Sequence, residues 1–213
     1  MSKKEYSLDT VNKVYSYWGR SRLLYRLEVS FFGYFFFLRK KAINHLSLNK
    51  GFKVLDIGCG PGLTFKRIEK EIGSKGELIG VDYVNEMIKQ CKKIVRRYKW
   101  SNVTLIQEDA SKLSLKKNSL DAIIAITSLS AMPKPLEALN NCYNSLKKNG
   151  LMVILDCKKL SKHKWLNPLL KLVRWSKSYN ENSDLLKIIN EVFKNVKIEE
   201  YLLGSTFIAI CRK

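Results

Sequence analysis

The chain has 213 residues, 46% hydrophobic and 27% charged, with 39 Lys and Arg against 19 Asp and Glu for a formal net charge of +20. The length suits one domain with one substantial core, and the apolar content is ordinary for a globular protein. The charge is not ordinary: it points to nucleic acid, an anionic membrane surface or an acidic substrate as a neighbour, unless the source proteome is lysine-rich throughout.

The first residues, "MSKKEYSLDT", lack the apolar core of a secretory signal, so the expected location is cytoplasmic. Residues 31–37 then hold six aromatics in seven positions and are followed by Arg39, Lys40 and Lys41. The surrounding apolar run is about half the length of a bilayer-spanning helix. It can pack an N-terminal cap onto the core, line an apolar pocket or lie peripherally on a membrane, and these readings stay open. From residue 53 short β-type runs alternate with helical patterns, the signature of a parallel α/β sheet. Strands are expected at 53–57, 77–81, 103–107, 120–126 and 151–156. Met87, Cys91, Ile94, Val95 and Tyr98 recur at helical spacing, with Lys89, Lys92, Lys93, Arg96 and Arg97 on the other faces, which makes an amphipathic crossover helix. A further helix is expected from Pro135 to Gly150, with Lys147 and Lys148 at its negative end.

Residues 157–179 carry seven Lys or Arg and no acid, and read as a basic insertion. Ser183 is placed to cap a helix reaching Phe193, and the final stretch reads as two strands joined at Gly204 and Ser205. The organisation is one domain over 1–213, with an N-terminal helical cap at 1–48 and a cap insertion at 157–180. Cys59, Cys91, Cys142, Cys157 and Cys211 are odd in number and scattered without a C-x-x-C pair, so neither a disulfide framework nor a metal site is expected.

The informative stretch is "VLDIGCGPGLTFKRI". A strand runs into Gly58, Gly60 and Gly62 and then into a helix with apolar Leu63, Phe65, Ile68 and Ile72. Glycines let the backbone turn sharply and approach a ligand, with exposed N–H groups awaiting a partner, which implies a nucleotide-like molecule. The spacing is not that of the dinucleotide fingerprint, and a carboxylate at Asp56 repels phosphate and attracts an ammonium group.

This D-x-G-x-G-x-G pattern resembles motif I of the class I S-adenosylmethionine-dependent methyltransferases. The resemblance implies a Rossmann-like α/β fold, a seven-stranded, mostly parallel sheet with an antiparallel last strand and helices on both faces. It implies S-adenosylmethionine as cofactor, held at Asp56, Gly58, Cys59, Gly60 and Gly62. "LIGVD" ends in Asp82, which would bond both ribose hydroxyls, with Tyr83 beside it and Met87 over the adenine. "LIQEDASKL" resembles the family's segment after strand three, where Asp109 would accept from the adenine amine and the Ala110 backbone would meet the ring. Thr127 at the exit of strand four completes the set. Met132 and Cys142 are expected to be helix packing.

In this family the sulfonium is already a strong donor, so no general base is obligatory, and the sequence offers no decisive catalytic residue. His45 reads as structural. Tyr15, Tyr17, Trp18 and Tyr25 lie where related enzymes fold an N-terminal helix over the cofactor, and Tyr17, Trp18 and Tyr25 with His163 are the substrate-side candidates. The strand-four exit "AITSLSAMP" lacks the Asn/Asp-Pro-Pro-aromatic box that resembling enzymes use on base amines. Nucleic acid stays open on charge alone. Apolar and aromatic bulk beside cations in both caps suits a lipid or hydrophobic small-molecule acceptor met at a membrane surface. The rivals are an RNA or protein methyltransferase and a non-catalytic nucleoside-binding relic. Among subfamilies the chain looks most like the ubiquinone/menaquinone-type and the soluble phosphatidylethanolamine N-methyltransferases.

Overall fold

The computed structural model describes residues 6–20, 25, 33–159, 165 and 184–213. Two helices, α1 (Leu8–Gly19) and α2 (Gly33–His45), precede the sheet. The sheet then alternates with helices: β1 (Lys53–Ile57), α3 (Phe65–Ile72), β2 (Glu77–Asp82), α4 (Asn85–Tyr98), β3 (Val103–Gln107), β4 (Leu120–Ile126), α5 (Pro135–Ser145) and β5 (Leu146–Cys157). The chain closes with α6 (Leu185–Val192), β6 (Asn195–Tyr201) and β7 (Thr206–Arg212).

The seven strands lie in the order β3-β2-β1-β4-β5-β7-β6. β1 to β5 pair in parallel, and β7 runs antiparallel to both β5 and β6. This is the arrangement expected from the resemblance. The chain moves outward from β1 in one direction to β2 and β3, then returns to place β4 on the other side. A crevice therefore opens beyond the carboxyl ends of β1 and β4, where the strand order reverses and α/β sheets bind ligands.

Burial follows the strand pattern. Val54–Ile57 and Ala122–Ala125 are inaccessible or nearly so, as strands covered on both faces must be. On one face Ala138, Leu139, Cys142, Ile189 and Phe193 bring α5 and α6 onto the sheet. On the other, Leu38, Phe65, Ile68, Ile88 and Cys91 bring α2, α3 and α4. Cys142 is thus core packing, as its helical spacing suggests.

Two boundaries differ from the sequence reading. The helix begun by Pro135 ends at Ser145, not Gly150, because Leu146 turns extended and already pairs with Leu120. Lys147 does not serve the helix dipole; its Nζ lies 2.6 Å from Asp121 Oδ1, whose partner oxygen accepts from the Lys53 N–H at 2.8 Å. An ion pair to the opening of β4 outcompetes the weaker field of a helix end. Ser183 lies outside the described residues, and Asp184 caps α6 by accepting from the Lys187 N–H. Most of 157–180, together with Phe31 and Phe32, also lies outside them. Among the described residues no helix is long and apolar enough to cross a membrane.

α2 is fastened to the edge strand by one carboxylate. Glu199 Oε2 accepts from Tyr201 Oη at 2.6 Å and lies 2.9 Å from Lys41 Nζ and 3.4 Å from His45 Nε2. His45 is therefore structural. The Tyr201 hydroxyl and the Lys41 ammonium pull the Glu199 carboxyl down to about 2. A depressed carboxylate contributes stability that is present above its ordinary value and lost as pH falls toward the folded one. Glu199→Gln should lower Tm by roughly 2–4 °C at neutral pH, and by less as the pH approaches 2. Thermal melts of both proteins across that range check it.

Candidate cofactor and acceptor cleft

The crevice encloses about 500 Å³, open solvent included, between the glycine loop, the end of β2, the exit of β4 and helix α1. Each wall has a local cause. Gly58, Gly60 and Gly62 all have positive φ, at 65°, 54° and 68°. A side chain at Gly58 would place its Cβ 2.4 Å from the Ser128 Cβ, so the glycine is needed for the loop to pass the β4 exit. Ser128 Oγ in turn donates to the Ile57 carbonyl at 2.9 Å. At Gly60 the missing Cβ faces the cleft, its nearest neighbour being the Tyr25 hydroxyl at 3.7 Å, which leaves a cradle. Gly62 instead faces inward, against Phe65, Cys91 and Ile94.

Asp82 closes the loop from the β2 side. Its Oδ2 accepts from the Gly60 N–H at 2.8 Å and its Oδ1 from the Val84 N–H at 2.9 Å. Burial pushes this carboxyl up to about 6 against those two N–H groups, which pull it down. Each oxygen keeps a further lone pair, so a ligand offering two adjacent hydroxyls can be accepted without breaking either contact. Asp56 behaves differently. It is 2% exposed, takes the Thr64 hydroxyl, and burial raises it to about 6 despite Thr64 and the Arg39 charge. It braces the loop from behind and does not line the cleft, so the ammonium expected there from sequence meets no open carboxylate.

The other expected residues divide in the same way. Tyr83, Met87 and Thr127 line the cleft with Gly58, Gly60 and Asp82. Thr127 has φ 49°, an uncommon conformation for a residue with a branched side chain, held by its N–H to the Leu155 carbonyl at 2.7 Å. Cys59 is turned inward, 3.9 Å from the Cys91 sulfur. Asp109 accepts from the N–H and hydroxyl of Ser111, and Ala110 is buried against one face of the sheet. Neither is in the described cleft wall.

Helix α1 lies across the opening. Gly19 lets it approach α4 closely, since a Cβ there would sit 2.7 Å from the Glu86 Cβ. Gln90 Nε2 donates to the carbonyls of Gly19 and Arg20, and Ser16 Oγ donates to Glu86. At the far side Tyr6 Oη donates to the Ala131 carbonyl at 3.1 Å. Val11, Tyr15 and Tyr25 thereby reach the cleft. Tyr17 does not: it is 61% exposed and edge-on to Trp18, which packs with Val84 and Met87 behind the wall. His163 lies outside the described residues. Sequence reasoning missed Val11, Ser128, Ala131 and Met132, and preferred Tyr17 and Tyr25 to Tyr15. Tyr15 was separable from Tyr17 by spacing, since Val11 and Tyr15 stand one helical turn apart on a single face. Met132, read as packing, lines the cleft because a short 3-10 turn at Leu129–Ala131 delivers it there ahead of α5.

A switch-point crevice with a glycine loop and a ribose-compatible carboxylate defines a class I S-adenosylmethionine-dependent methyltransferase. Residues 48–207 match the family model described as a methyltransferase domain, and the chain belongs to that family. It is 32% identical over 118 residues to the demethylmenaquinone methyltransferase of Staphylococcus aureus strain MRSA252, a match covering 55% of this chain and 48% of that protein. The chain thus spans about half the length of the curated relatives it matches. In fold it is similar to a SAM-dependent methyltransferase from Aquifex aeolicus, with TM-score 0.65 and 20% identity over 96% of this chain and 97% of that one. It is also similar to a Haemonchus contortus N-methyltransferase solved with phosphomonomethylethanolamine and S-adenosylhomocysteine, with TM-score 0.62 and 20% identity over 76% and 38% of the two chains.

The cradle at Gly60 and the paired acceptor positions on Asp82 fit S-adenosylmethionine. Ribose hydroxyls donate best to an ionised carboxylate, so affinity for the cofactor should fall as pH drops through about 6. Asp82→Asn should bind roughly tenfold to a hundredfold more weakly at neutral pH, with a flatter profile. Calorimetric titration at several pH values measures both.

Proposed function

We propose that the protein transfers the methyl group of S-adenosylmethionine to a lipid or hydrophobic small molecule, met at a membrane surface. The observation that carries this reading is the character of the cleft beyond Asp82. Val11, Tyr15, Tyr25, Ala131 and Met132 offer aromatic and aliphatic surface to whatever lies next to the cofactor. Such a lining suits an acceptor with a substantial apolar body. The S. aureus relative is named for demethylmenaquinone and the H. contortus structure for an ethanolamine phosphate, so acceptor classes vary across this fold and the apolar wall is the local guide.

When bound, the cofactor supplies a methyl group on a sulfonium, activated for transfer without further chemistry. The chain's work is then to hold and to exclude. Asp82 takes the ribose hydroxyls, Met87 and Tyr83 pack the nucleoside, and the Gly60 cradle admits the remainder. Asp109 and the Ala110 backbone, in the turn that follows β3, are assigned to the adenine edge. Tyr15 and Tyr25, carried by the N-terminal cap, close over the acceptor and keep water out, which aligns its nucleophile with the methyl group.

A second reading is favoured by one observation. Arg20, Lys89, Lys92, Lys93 and Arg96 line an open groove along α4, with Glu86 the single acid in it. A groove of that charge suits an acidic polymer, so RNA or an acidic protein remains the rival acceptor.

Radiolabelled S-adenosylmethionine incubated with the protein and fractionated lipid, RNA and protein from the source cell tests this. Label is expected in the lipid fraction, and Tyr15→Ala should lower its incorporation roughly tenfold or more through loss of acceptor alignment. Label in RNA or protein contradicts the reading, and cofactor binding without transfer to any fraction makes the protein a nucleoside-binding relic.

A further inference from the structure

Several large apolar side chains are left in solvent, and two of them are consecutive. Leu202 and Leu203 are 46% and 68% exposed and form the turn Leu202–Gly204 that joins β6 to β7. In the ladder Thr206 stands opposite both Cys157 of β5 and Tyr201 of β6. The turn therefore projects from the same end of the sheet as the carboxyl ends of the parallel strands, where the cleft opens.

Phe37, 59% exposed, belongs to that end too. One helical turn later Lys41 pairs with Glu199 and lies over the Tyr201 ring, 5.1 Å from its centroid, and a turn further on His45 meets Glu199. α2 thus runs antiparallel to β6, with its first turns directed toward the Leu202–Leu203 tip.

The backbone of the tip adds a second observation. Leu202 has φ 49° and Leu203 φ 57°, the left-handed region in which Asn and Gly are at ease and leucine is not. The fold gains little from Leu203, which is largely in water, and Leu202 is still nearly half exposed. Two large apolar groups kept where both hydration and backbone disfavour them point to an occupant from outside the chain.

Charge identifies the occupant. The chain carries +20 and Lys40 is exposed on α2, while at the base of the turn the Lys158 N–H donates to the Ser205 carbonyl and its ammonium is paired with Glu200. RNA would take the cations and stacked rings but gives leucines nowhere to go, whereas an anionic bilayer takes both. We infer that Leu202 and Leu203, flanked by Phe37 and Lys40 of α2, insert at the headgroup boundary of an anionic phospholipid bilayer and turn the cleft mouth toward it. The purpose of this contact rests on the lipophilic-acceptor reading.

The test is co-sedimentation of the full chain with phosphatidylcholine vesicles, with and without phosphatidylglycerol, for wild type and the double variant Leu202→Asn, Leu203→Gly. The wild type should partition onto the anionic vesicles and lose this in high salt. The variant should partition roughly tenfold more weakly. Its Tm should be unchanged or higher, since Asn and Gly suit the left-handed backbone, and its calorimetric affinity for S-adenosylmethionine should be unchanged. Unaltered vesicle binding overturns the inference, as does a variant whose Tm falls, which makes the tip packing. Loss of an oligomer in the variant makes the tip a self-interface, and wild-type binding to tRNA in place of vesicles makes the surface a nucleic-acid one; both overturn it. Cofactor binding without vesicle partition defeats the tip assignment alone. Vesicle partition with label entering RNA or protein defeats the acceptor reading and leaves the tip standing.

Discussion

The Asp82 carboxylate, accepting from the backbone N–H groups of Gly60 and Val84, ties the loop after β1 to the end of β2. It is the contact through which the sheet's topology becomes a site. The loop must leave β1 at the point where strand order reverses, and a glycine-rich loop has little of its own to define its path. The carboxylate supplies the definition at an electrostatic cost: burial lifts it to about 6. Ligand hydroxyls that donate to the remaining lone pairs offset that cost, so the group that shapes the empty loop also rewards its filling.

The rest of the loop is fixed by packing. Ser128 blocks any side chain at Gly58, and Phe65, Cys91 and Ile94 crowd the same position at Gly62. Behind these, Asp56 and Thr64 close the loop onto the core in a buried hydrogen bond. Gly60 alone keeps free space on the cleft side. Of three glycines that look equivalent in sequence, two face protein packing and one faces the cleft. The N-terminal cap then completes the cleft through a few polar contacts from α1 to α4 and to Ala131, which leave its apolar face turned inward.

Strands β1, β3 and β4 were legible to the residue: two-sided burial writes β1 and β4 as nearly unbroken apolar runs, and the edge strand β3 reads as a short β-branched run with Thr104 and Gln107 exposed. The glycine loop and Asp82 were legible because their spacing is dictated by the length of one αβ unit. The end of α5 was not: cations after a helix suggest dipole capping, and only the tertiary partner Asp121 reveals that Lys147 belongs to a strand. Spacing put Val11 and Tyr15 on one face of α1 and Tyr17 off it, but which face meets the cleft depends on the rotation of α1 about its own axis, which Gly19 and Gln90 set through α4. Ser128 and Met132 were hidden because a 3-10 turn has no period to read. The leucines at the hairpin tip looked like ordinary strand residues until their backbone and exposure were known.

The methyl-donor site built on Asp82 can be examined directly. A crystal structure of the protein with S-adenosylhomocysteine is the decisive measurement. Both ribose hydroxyls are expected on the Asp82 carboxylate, with the adenine against Met87 and the thioether facing Tyr15 and Tyr25. A nucleoside bound elsewhere, with Asp82 still engaged only by Gly60 and Val84, would contradict the account at its base.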